Sequence, residues 1–320
     1  MPLTAGHGII VRMDVHTASL LPYEGLAAEI EAVLRDPAVQ VPERRVMPLA
    51  GGASLFVMPA SDDRVAMTKL ITFTPANAGT GRPAIQGDVL VFDVATGART
   101  VLLDGPTVTA RRTAAVSLLA AQRLAAVPQG PMLIVGAGVQ GRAHLEAFAT
   151  GLGVRDFFIA SRTPAGAQAL AEHALTLGCR AEVVPQPAQV QARCTLVVTC
   201  TPASGVVLRG DLHPEVWLGA VGAFKPAMIE LDPALTRALA ARGRVVVDTQ
   251  DAEHEAGDLI QAGIAPAQWQ TLAQVLAAPP VRAGTVLFKS CGWAGWDLAA
   301  ARLAARSPAT VTGRGPVSPC

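Results

Sequence analysis

A short apolar run that leads into three spaced glycines constrains this chain more than any other feature. Residues 132–135 are apolar, and glycines follow with the spacing G-x-G-x-x-G at Gly136, Gly138 and Gly141. Apolar residues then recur at helical spacing, so the stretch predicts a strand, a tight turn and a helix. In such a unit the first glycine allows the turn, the second lets phosphates approach the backbone, and the third lets helix and strand pack closely. The open N–H groups of the new helix favour a pyrophosphate.

The next apolar run bears on which dinucleotide would bind. Residues 157–160 follow at the distance expected of the second strand of a βαβ unit. Ser161, Arg162 and Thr163 end this run about twenty residues beyond Gly141, where an acid usually contacts the ribose 2′-hydroxyl of NAD. An arginine between two hydroxyls suits a 2′-phosphate instead. We therefore expect NADP(H) in preference to NAD(H), and the alternative is that Arg162 is an ordinary surface arginine.

Composition narrows the class of protein. Apolar side chains make up 51% of the 320 residues, and charged ones make up 16%, which indicates a globular chain. The formal net charge of +1 offers no basis for binding nucleic acid or a membrane surface, so we expect a small-molecule partner.

The cysteines and the N-terminus bear on the compartment. The five cysteines are scattered, with no C-x-x-C pair or Cys/His cluster, so we expect reduced thiols and no metal site. Arg12 and Asp14 interrupt the only candidate signal segment, and no apolar run reaches the roughly eighteen residues that span a bilayer. These features predict a cytoplasmic protein.

The hydrophobic pattern changes near Arg112. Before it, a helix at 25–36 and period-2 strands at 54–58, 65–73, 89–94 and 99–103 indicate a small α+β layer. A helix at 107–126, capped by Thr107 or Thr109, leads to the second part of the chain. There, strands alternate with helices, which predicts an α/β protein with a Rossmann-type, doubly wound parallel sheet. The predicted strands of this sheet are 132–135, 157–160, 181–184, 195–199, 216–221 and 244–247, and its helices begin at 140 and span 164–177, 231–241 and 254–262.

Three cations stand where local preference disfavours them. Lys69 interrupts the apolar run 65–73, and Arg111 and Arg112 lie in the first turns of a helix, where the dipole opposes positive charge. A substrate carboxylate is one candidate partner. The alternative is that Lys69 points to solvent from an edge strand and that the arginines pair with acids such as Asp104.

The histidines carry less information. His144 is expected to be a packed or capping residue, and no Ser/His/Asp order or H-E-x-x-H motif supports a hydrolase or metalloprotease. Another histidine stands in an acidic cluster that is either a solvated helix face or the lining of a cleft; the cluster consists of Asp251, Glu253, His254, Glu255 and Asp258.

Several segments together resemble the ornithine cyclodeaminase/mu-crystallin family. They occur in the family's order over roughly residues 40 to 300, and this shared order identifies the family more strongly than any single motif. The segments are Arg44 with Pro48, 58–60, Lys69, 103–105, 112–115, 136–141, 161–163, 255–258 and 289–292.

The resemblance implies a homodimer with two domains in each chain. Residues 1–112 with 297–320 would form the α+β domain that binds substrate and dimerises, and residues 113–296 would form the NADP-binding Rossmann domain. Arg44, Lys69 and Arg112 would bind the substrate carboxylate, and Lys69, or a water it holds, is the candidate proton donor. We expect the cofactor site to comprise Gly136, Gly138, Val139, Gln140, Gly141, Ser161, Arg162, Thr163, Thr201, Val221, Gly222, Ser290 and Gly292.

One position separates activities within the family. The resemblance implies that the cyclodeaminases carry an aspartate, which acts on the substrate amine, where this chain has Ala223. Alanine has no proton to exchange. Residues 221–226 instead resemble bacterial ketimine reductases, which reduce Δ1-pyrroline-2-carboxylate and Δ1-piperideine-2-carboxylate to L-proline and L-pipecolate. The alternatives are an amino-acid dehydrogenase or imine reductase acting on open-chain substrates, and a non-catalytic protein that binds NADPH and a carboxylate ligand.

Overall fold

A computed structural model describes residues 16–77, 80–202 and 205–306 of the chain. The described residues divide into two compact units, the first formed by residues 16–22, 36–109 and 297–306, and the second by Tyr23–Arg35 and Ala110–Trp296. Residues 1–15 and 307–320, which the sequence assigns to the first domain, lie outside the described residues. Across the described ranges, no helix has the length and apolar character needed to cross a membrane.

The numbered elements of the described residues are thirteen strands and nine α-helices. In chain order they are α1 (Tyr23–Arg35), β1 (Arg45–Pro48), β2 (Ser54–Ser61), β3 (Val65–Phe73), β4 (Ile85–Asp93), β5 (Arg99–Asp104), α2 (Gly105–Leu124), β6 (Met132–Val135), α3 (Val139–Gly151), β7 (Asp156–Ala160), α4 (Pro164–Thr176), β8 (Arg180–Val183), β9 (Leu196–Thr199), β10 (Trp217–Ala220), α5 (Pro233–Arg242), β11 (Arg244–Val247), α6 (Ala252–Glu255), α7 (Gly257–Ala262), β12 (Trp269–Thr271), α8 (Leu272–Ala277), β13 (Val286–Lys289) and α9 (Ala294–Arg306).

The second unit contains the predicted doubly wound parallel sheet. Its strand order is β12-β11-β13-β10-β9-β6-β7-β8, and every neighbouring pair is parallel. Strands β6, β9, β10 and β13 are buried along their whole length, as expected of strands covered on both faces. Successive strands run outward from β6 to β8, and the chain then returns to the other side of β6 with β9. The carboxyl end of β6 is therefore the switch point where ligands bind in such sheets.

The first unit contains a five-stranded antiparallel sheet in which β1 to β5 are neighbours in sequence order. The described part of α9 that belongs to this unit contributes two buried charged residues. Asp297 pairs with Lys69 of β3, and the guanidinium of Arg302 binds Asp62 and Asp36. Short, exposed β1 was not predicted, because its residues show no alternation of apolar and polar side chains.

Helix α1 belongs to the second unit, although the predicted domain 1–112 includes it. The Tyr23 hydroxyl donates to Glu146 of α3 over 2.9 Å, and Arg35 Nη2 donates to the Leu276 carbonyl over 3.2 Å. The apolar side of α1, with Leu26 and Ile30 fully buried, is what makes this helix part of the larger unit. The division between units in α2 falls between Thr109 and Ala110 rather than at Arg112.

Two local predictions were wrong. Asp104 caps α2 in place of Thr107 or Thr109, since its carboxylate accepts the Thr107 N–H over 2.7 Å and the helix already begins at Gly105. The predicted helix 254–262 is two helices that break at Ala256. Gly257 follows the break because a Cβ there would lie 2.0 Å from the Met228 carbonyl oxygen.

His144 is packed inside the second unit, as the sequence predicts. Its Nδ1 lies 2.8 Å from the Gln140 carbonyl oxygen, so Nδ1 carries the proton, and Nε2 lies 3.0 Å from the Ser117 hydroxyl. Burial lowers the pKa of His144 from 6.5 to about 4, which outweighs the opposing hydrogen bond to Gln140. The ring is therefore neutral in the folded protein at neutral pH.

This burial predicts a pH-dependent loss of stability. Between pH 6.5 and about 4 the unfolded chain protonates His144 and the folded chain does not, so the free energy of unfolding falls as the pH drops through that window. The loss from this group should total about 3 kcal/mol. Denaturant titrations at several pH values should show a flatter dependence in His144→Gln, while exposed His254→Gln keeps the dependence of the unaltered protein. Equal slopes in all three proteins would contradict the assignment.

Candidate functional site

A cavity of about 410 Å³ opens at the carboxyl edge of the parallel sheet. It lies where β6, β7 and β9 end, which is the switch point of the strand order. Among the described residues that line it, Arg162 is the only charged one and none is Asp or Glu. The lining consists of Val135, Gly136, Ala137, Gly138, Ala160, Ser161, Arg162, Thr163, Pro185, Pro187, Cys200, Thr201, Pro202 and Val207.

Two of the three glycines at this edge face protein backbone and have no room for a side chain, and the third faces open space. Gly136 has φ +113°, and a Cβ there would lie 2.8 Å from the Cys200 carbonyl oxygen. A Cβ on Gly141 would lie 2.0 Å from the Gly136 carbonyl oxygen, whereas one on Gly138 would meet nothing within 4 Å. The turn therefore brings backbone to the cavity wall without obstruction. These positions fit a dinucleotide's pyrophosphate.

The start of α3 lies beside these glycines and forms the rest of the candidate pyrophosphate site. No side chain caps the helix, and its first residue, Val139, is 70% exposed. The start of the helix thus has no capping side chain in front of it, and the helix dipole favours an anion there. Gln140 follows Val139 in the same turn.

The predicted 2′-phosphate residues line the same cavity. Ser161, Arg162 and Thr163 join the end of β7 to the start of α4 at Pro164, and the Ser161 hydroxyl accepts the Thr163 N–H at 3.4 Å. Arg162 is exposed, so its guanidinium can turn toward a bound phosphate.

The other predicted cofactor residues follow β9, β10 and β13 at the same edge. Thr201 lines the cavity, while Val221 and Gly222 form the loop after β10. Ser290 and Gly292 follow β13, and both donate to one oxygen of buried Asp248, over 2.8 Å in each case. Asp248 itself directly follows β11 at the edge of the sheet where ligands bind.

Arg112 reaches this last loop. It is 7% exposed, and its Nη1 lies 3.0 Å from where a Cβ on Gly292 would sit. Gly292 has φ +95°, so both its backbone conformation and the adjacent guanidinium exclude a side chain. The structure thus brings together two residues, one predicted for the substrate and one for the cofactor.

Lys69 is buried in the first unit, so the alternative that it points to solvent from an edge strand is wrong. It lies in the central strand β3 at 1% exposure, and Nζ donates to both carboxylate oxygens of Asp297 over 2.9 and 2.8 Å. Arg44 lies half-buried in the same unit, directly before β1. Arg111 lies 3.7 Å from Glu146 and stacks over Tyr23, so this arginine pairs with an acid, as the alternative expects.

Sequence reasoning missed Glu230, and it included Lys289 only in the family segment 289–292, not as a charged group beneath this edge. Glu230, Asp258 and Lys289 are each fully or almost fully buried, and Lys289 Nζ lies 2.8 Å from Asp258 Oδ2. Asp258 is therefore not part of a solvated face, although exposed His254 and Glu253 are. The signal that could have found Glu230 is a charge between apolar neighbours, Ile229 and Leu231. Nowhere in the described ranges do three or more His, Cys, Asp or Glu side chains form a group that could hold a metal ion.

Comparison with known proteins gives consistent results. The model of the ornithine cyclodeaminase/mu-crystallin family matches residues 10–307. A Δ1-pyrroline-2-carboxylate reductase of Burkholderia multivorans is 38% identical over 90% of this chain and 92% of its own length. A Δ1-pyrroline-2-carboxylate/Δ1-piperideine-2-carboxylate reductase of Azospirillum brasilense is 37% identical over 94% of this chain and 97% of its own.

A solved structure is similar over most of this chain. The Δ1-pyrroline-2-carboxylate reductase of Thermococcus litoralis, in complex with NADH and L-proline, superposes with a TM-score of 0.83 at 25% identity. The match covers 92% of this chain and 95% of that one. With the glycine-lined cavity at the sheet's switch point, these matches show that the chain belongs to the ornithine cyclodeaminase/mu-crystallin family.

Proposed function

We propose that this protein uses a nicotinamide dinucleotide to reduce cyclic ketimines, Δ1-pyrroline-2-carboxylate and Δ1-piperideine-2-carboxylate, to L-proline and L-pipecolate. The observation that carries the proposal is the glycine-lined cavity at the end of β6, whose uncapped helix start fits a pyrophosphate. The relatives named as reductases of these two imines support the substrate class. Buried Ala223 supports reduction over cyclodeamination, since this position offers no ionisable side chain.

We further propose that NADPH is preferred over NADH. Arg162 is the only charged residue among those described in the cavity lining, and it lies between two hydroxyl side chains. A guanidinium attracts a 2′-phosphate, and no carboxylate in this described lining would repel it or bind a ribose 2′-hydroxyl.

The proposed reaction asks little of the protein beyond orientation and a proton. NADPH, when bound, supplies the hydride. A protonated cyclic ketimine is an iminium that is already electrophilic at C2, so binding of its carboxylate does most of the orienting. Arg44, Lys69 and Arg112 are the proposed carboxylate ligands, and Lys69 Nζ, or a water it holds, is the proposed source of the proton that makes the ring nitrogen an iminium. Asp297 holds Lys69 Nζ in place through two hydrogen bonds.

Two further parts of the proposal concern the assembly and its surroundings. We propose a homodimer, as the family resemblance implies, and a reducing compartment such as the cytoplasm. The cysteines that the structure describes, Cys179, Cys194, Cys200 and Cys291, are all unbridged, which suits such a compartment.

The proposed reaction is tested by following NADPH oxidation with each cyclic imine, and with pyruvate plus ammonia as the open-chain pair. We expect rapid oxidation with the cyclic imines and much slower oxidation with the open-chain pair. Arg112→Ala should reduce kcat/KM for the imine by about ten- to a hundredfold, since it removes a charge-assisted hydrogen bond worth about 1.5–3 kcal/mol.

Oxidation only with pyruvate and ammonia would replace the proposal with an open-chain imine reductase or amino-acid dehydrogenase. Tight NADPH binding without oxidation of any of these substrates would indicate a binding protein. Formation of proline from ornithine with release of ammonia would instead indicate a cyclodeaminase.

Cofactor preference is tested at Arg162. Arg162→Glu should reverse the preference for NADPH over NADH, because a carboxylate repels the 2′-phosphate and accepts a hydrogen bond from a 2′-hydroxyl. The ratio of kcat/KM for the two cofactors should change by about a hundredfold or more. Arg242→Glu is the matched control, since Arg242 is exposed and lies just before β11 at the opposite edge of the sheet. An unchanged ratio in Arg162→Glu would reject the 2′-phosphate assignment.

The role of Lys69 is tested by the split between turnover and KM. Lys69→Met is combined with Asp297→Asn so that no buried carboxylate loses its partner, which alone would cost about 3–5 kcal/mol of stability. If Lys69 supplies the proton, turnover at saturating imine should fall about a hundredfold or more. Unchanged turnover with a raised KM would leave Lys69 as a carboxylate ligand alone.

A further inference from the structure

The carboxylate of Glu230 joins two loops at the carboxyl edge of the parallel sheet. Oε1 accepts the N–H of Thr201 over 2.7 Å and its hydroxyl over 2.9 Å. Oε2 accepts the N–H of Gly222 over 2.6 Å and, more weakly, that of Ala223 over 3.3 Å. Thr201 follows β9, and the other two residues follow neighbouring β10. One fully buried side chain therefore binds both loops at once.

The partners of Glu230 require a carboxylate. Three of them are backbone N–H groups, which can only donate, so the ionised side chain satisfies all of them. Burial raises the pKa of Glu230, but the charge of Lys289 and the donors of Thr201 oppose this effect. Lys289 itself stays charged, since Asp258 and its other neighbours outweigh the effect of burial and raise the pKa of the ammonium.

A second carboxylate anchors the backbone that carries Glu230. Asp258 Oδ1 accepts the N–H of Glu230 over 2.7 Å and that of Leu231 over 2.9 Å. Asp258 Oδ2 lies 2.8 Å from Nζ of Lys289, which ends β13. Glu230 is thus tied through α7 to the centre of the sheet, and the two loops are tied to Glu230.

The two loops pack so closely that their spacing depends on these contacts. A Cβ on Gly222 would lie 1.9 Å from the Thr201 carbonyl oxygen and 2.5 Å from Glu230 Oε1. Thr201 lines the cavity, and both its N–H and its hydroxyl donate to Glu230. Any movement of the carboxylate would therefore move a wall of the cavity.

The strand order says which half of a dinucleotide meets this wall. Arg162 follows β7, which lies on one side of β6, and the adenosine half of the dinucleotide binds on that side of β6. Strands β9 and β10 lie on the other side of β6, which receives the nicotinamide half. Resting on the proposed function, we propose that Glu230 is a positioning residue that holds these two loops in the arrangement that binds the nicotinamide half of the cofactor.

The test compares the whole cofactor with its adenosine half. Glu230→Gln keeps the shape of the side chain but removes the charge and turns an amide NH₂ toward N–H donors. Calorimetry should show an NADPH dissociation constant about ten- to a hundredfold higher, because two charge-assisted hydrogen bonds to the loops weaken. The dissociation constant of adenosine 2′,5′-bisphosphate, which has no nicotinamide, should change by less than about twofold. Glu215→Gln is the control, since Glu215 is exposed just before β10 at the opposite edge.

A second variant keeps the carboxylate of Glu230 and instead changes Thr201, which donates to it. Thr201→Val removes the hydroxyl donor to Oε1 and should weaken NADPH binding by about three- to tenfold, again with little effect on the bisphosphate. This variant decides the question if Glu230→Gln does not fold. Equal weakening of both ligands, or unchanged NADPH affinity, would overturn the positioning role. Failure of the unaltered protein to bind NADPH would overturn the proposed function and this inference together, which separates the two kinds of failure.

Discussion

Two backbone segments of the second unit approach so closely that no side chain fits between them, and the cavity at the sheet edge depends on this contact. The turn at Gly136 lies against the carbonyl of Cys200, and Gly141 lies against the carbonyl of Gly136. The approach fixes the end of β6 beside the end of β9, the two strands between which the sheet changes direction. It also directs the uncapped start of α3 toward the cavity, where the helix dipole favours an anion. A larger residue at Gly136 or Gly141 would close the candidate pyrophosphate site, whatever the other residues of the cavity offer a ligand.

Buried carboxylates hold the loops around this cavity, in addition to the backbone hydrogen bonds that continue the sheet into their first residues. Glu230 binds the loops after β9 and β10, Asp248 binds the loop after β13, and Asp258 holds the segment that carries Glu230. Burying so many charges is costly unless each is hydrogen-bonded, and here the backbone N–H groups of the loops supply those bonds. Lys289, which ends the strand β13 between β10 and β11, offsets part of the negative charge of these carboxylates. The loops therefore gain a defined geometry that irregular backbone alone would not have.

Local sequence patterns predicted most of the helices and strands. The burial and the partners of the charged residues depend instead on contacts between residues far apart in the sequence. The strand, glycine turn and helix at 132–145 could be predicted because each part is coded by neighbouring residues. Strand β13 was missed because its last residue is a lysine, and the burial of Lys289 depends on Asp258. Similarly, Lys69 stood out as a cation in an apolar run, but its partner Asp297 lies 228 positions away. Glu230 lay outside any periodic segment, so only the folded chain relates it to Thr201 and Gly222.

The transfer of the hydride itself tests the central claim most directly. NADPH carrying deuterium at both hydride positions of its nicotinamide ring would be incubated with the protein and Δ1-piperideine-2-carboxylate, and the product examined by mass spectrometry and NMR. The account predicts L-pipecolate with a single deuterium, bound to the α-carbon. Pipecolate without deuterium at that carbon, or no pipecolate at all, would contradict the assignment of this family member as a reductase of cyclic ketimines.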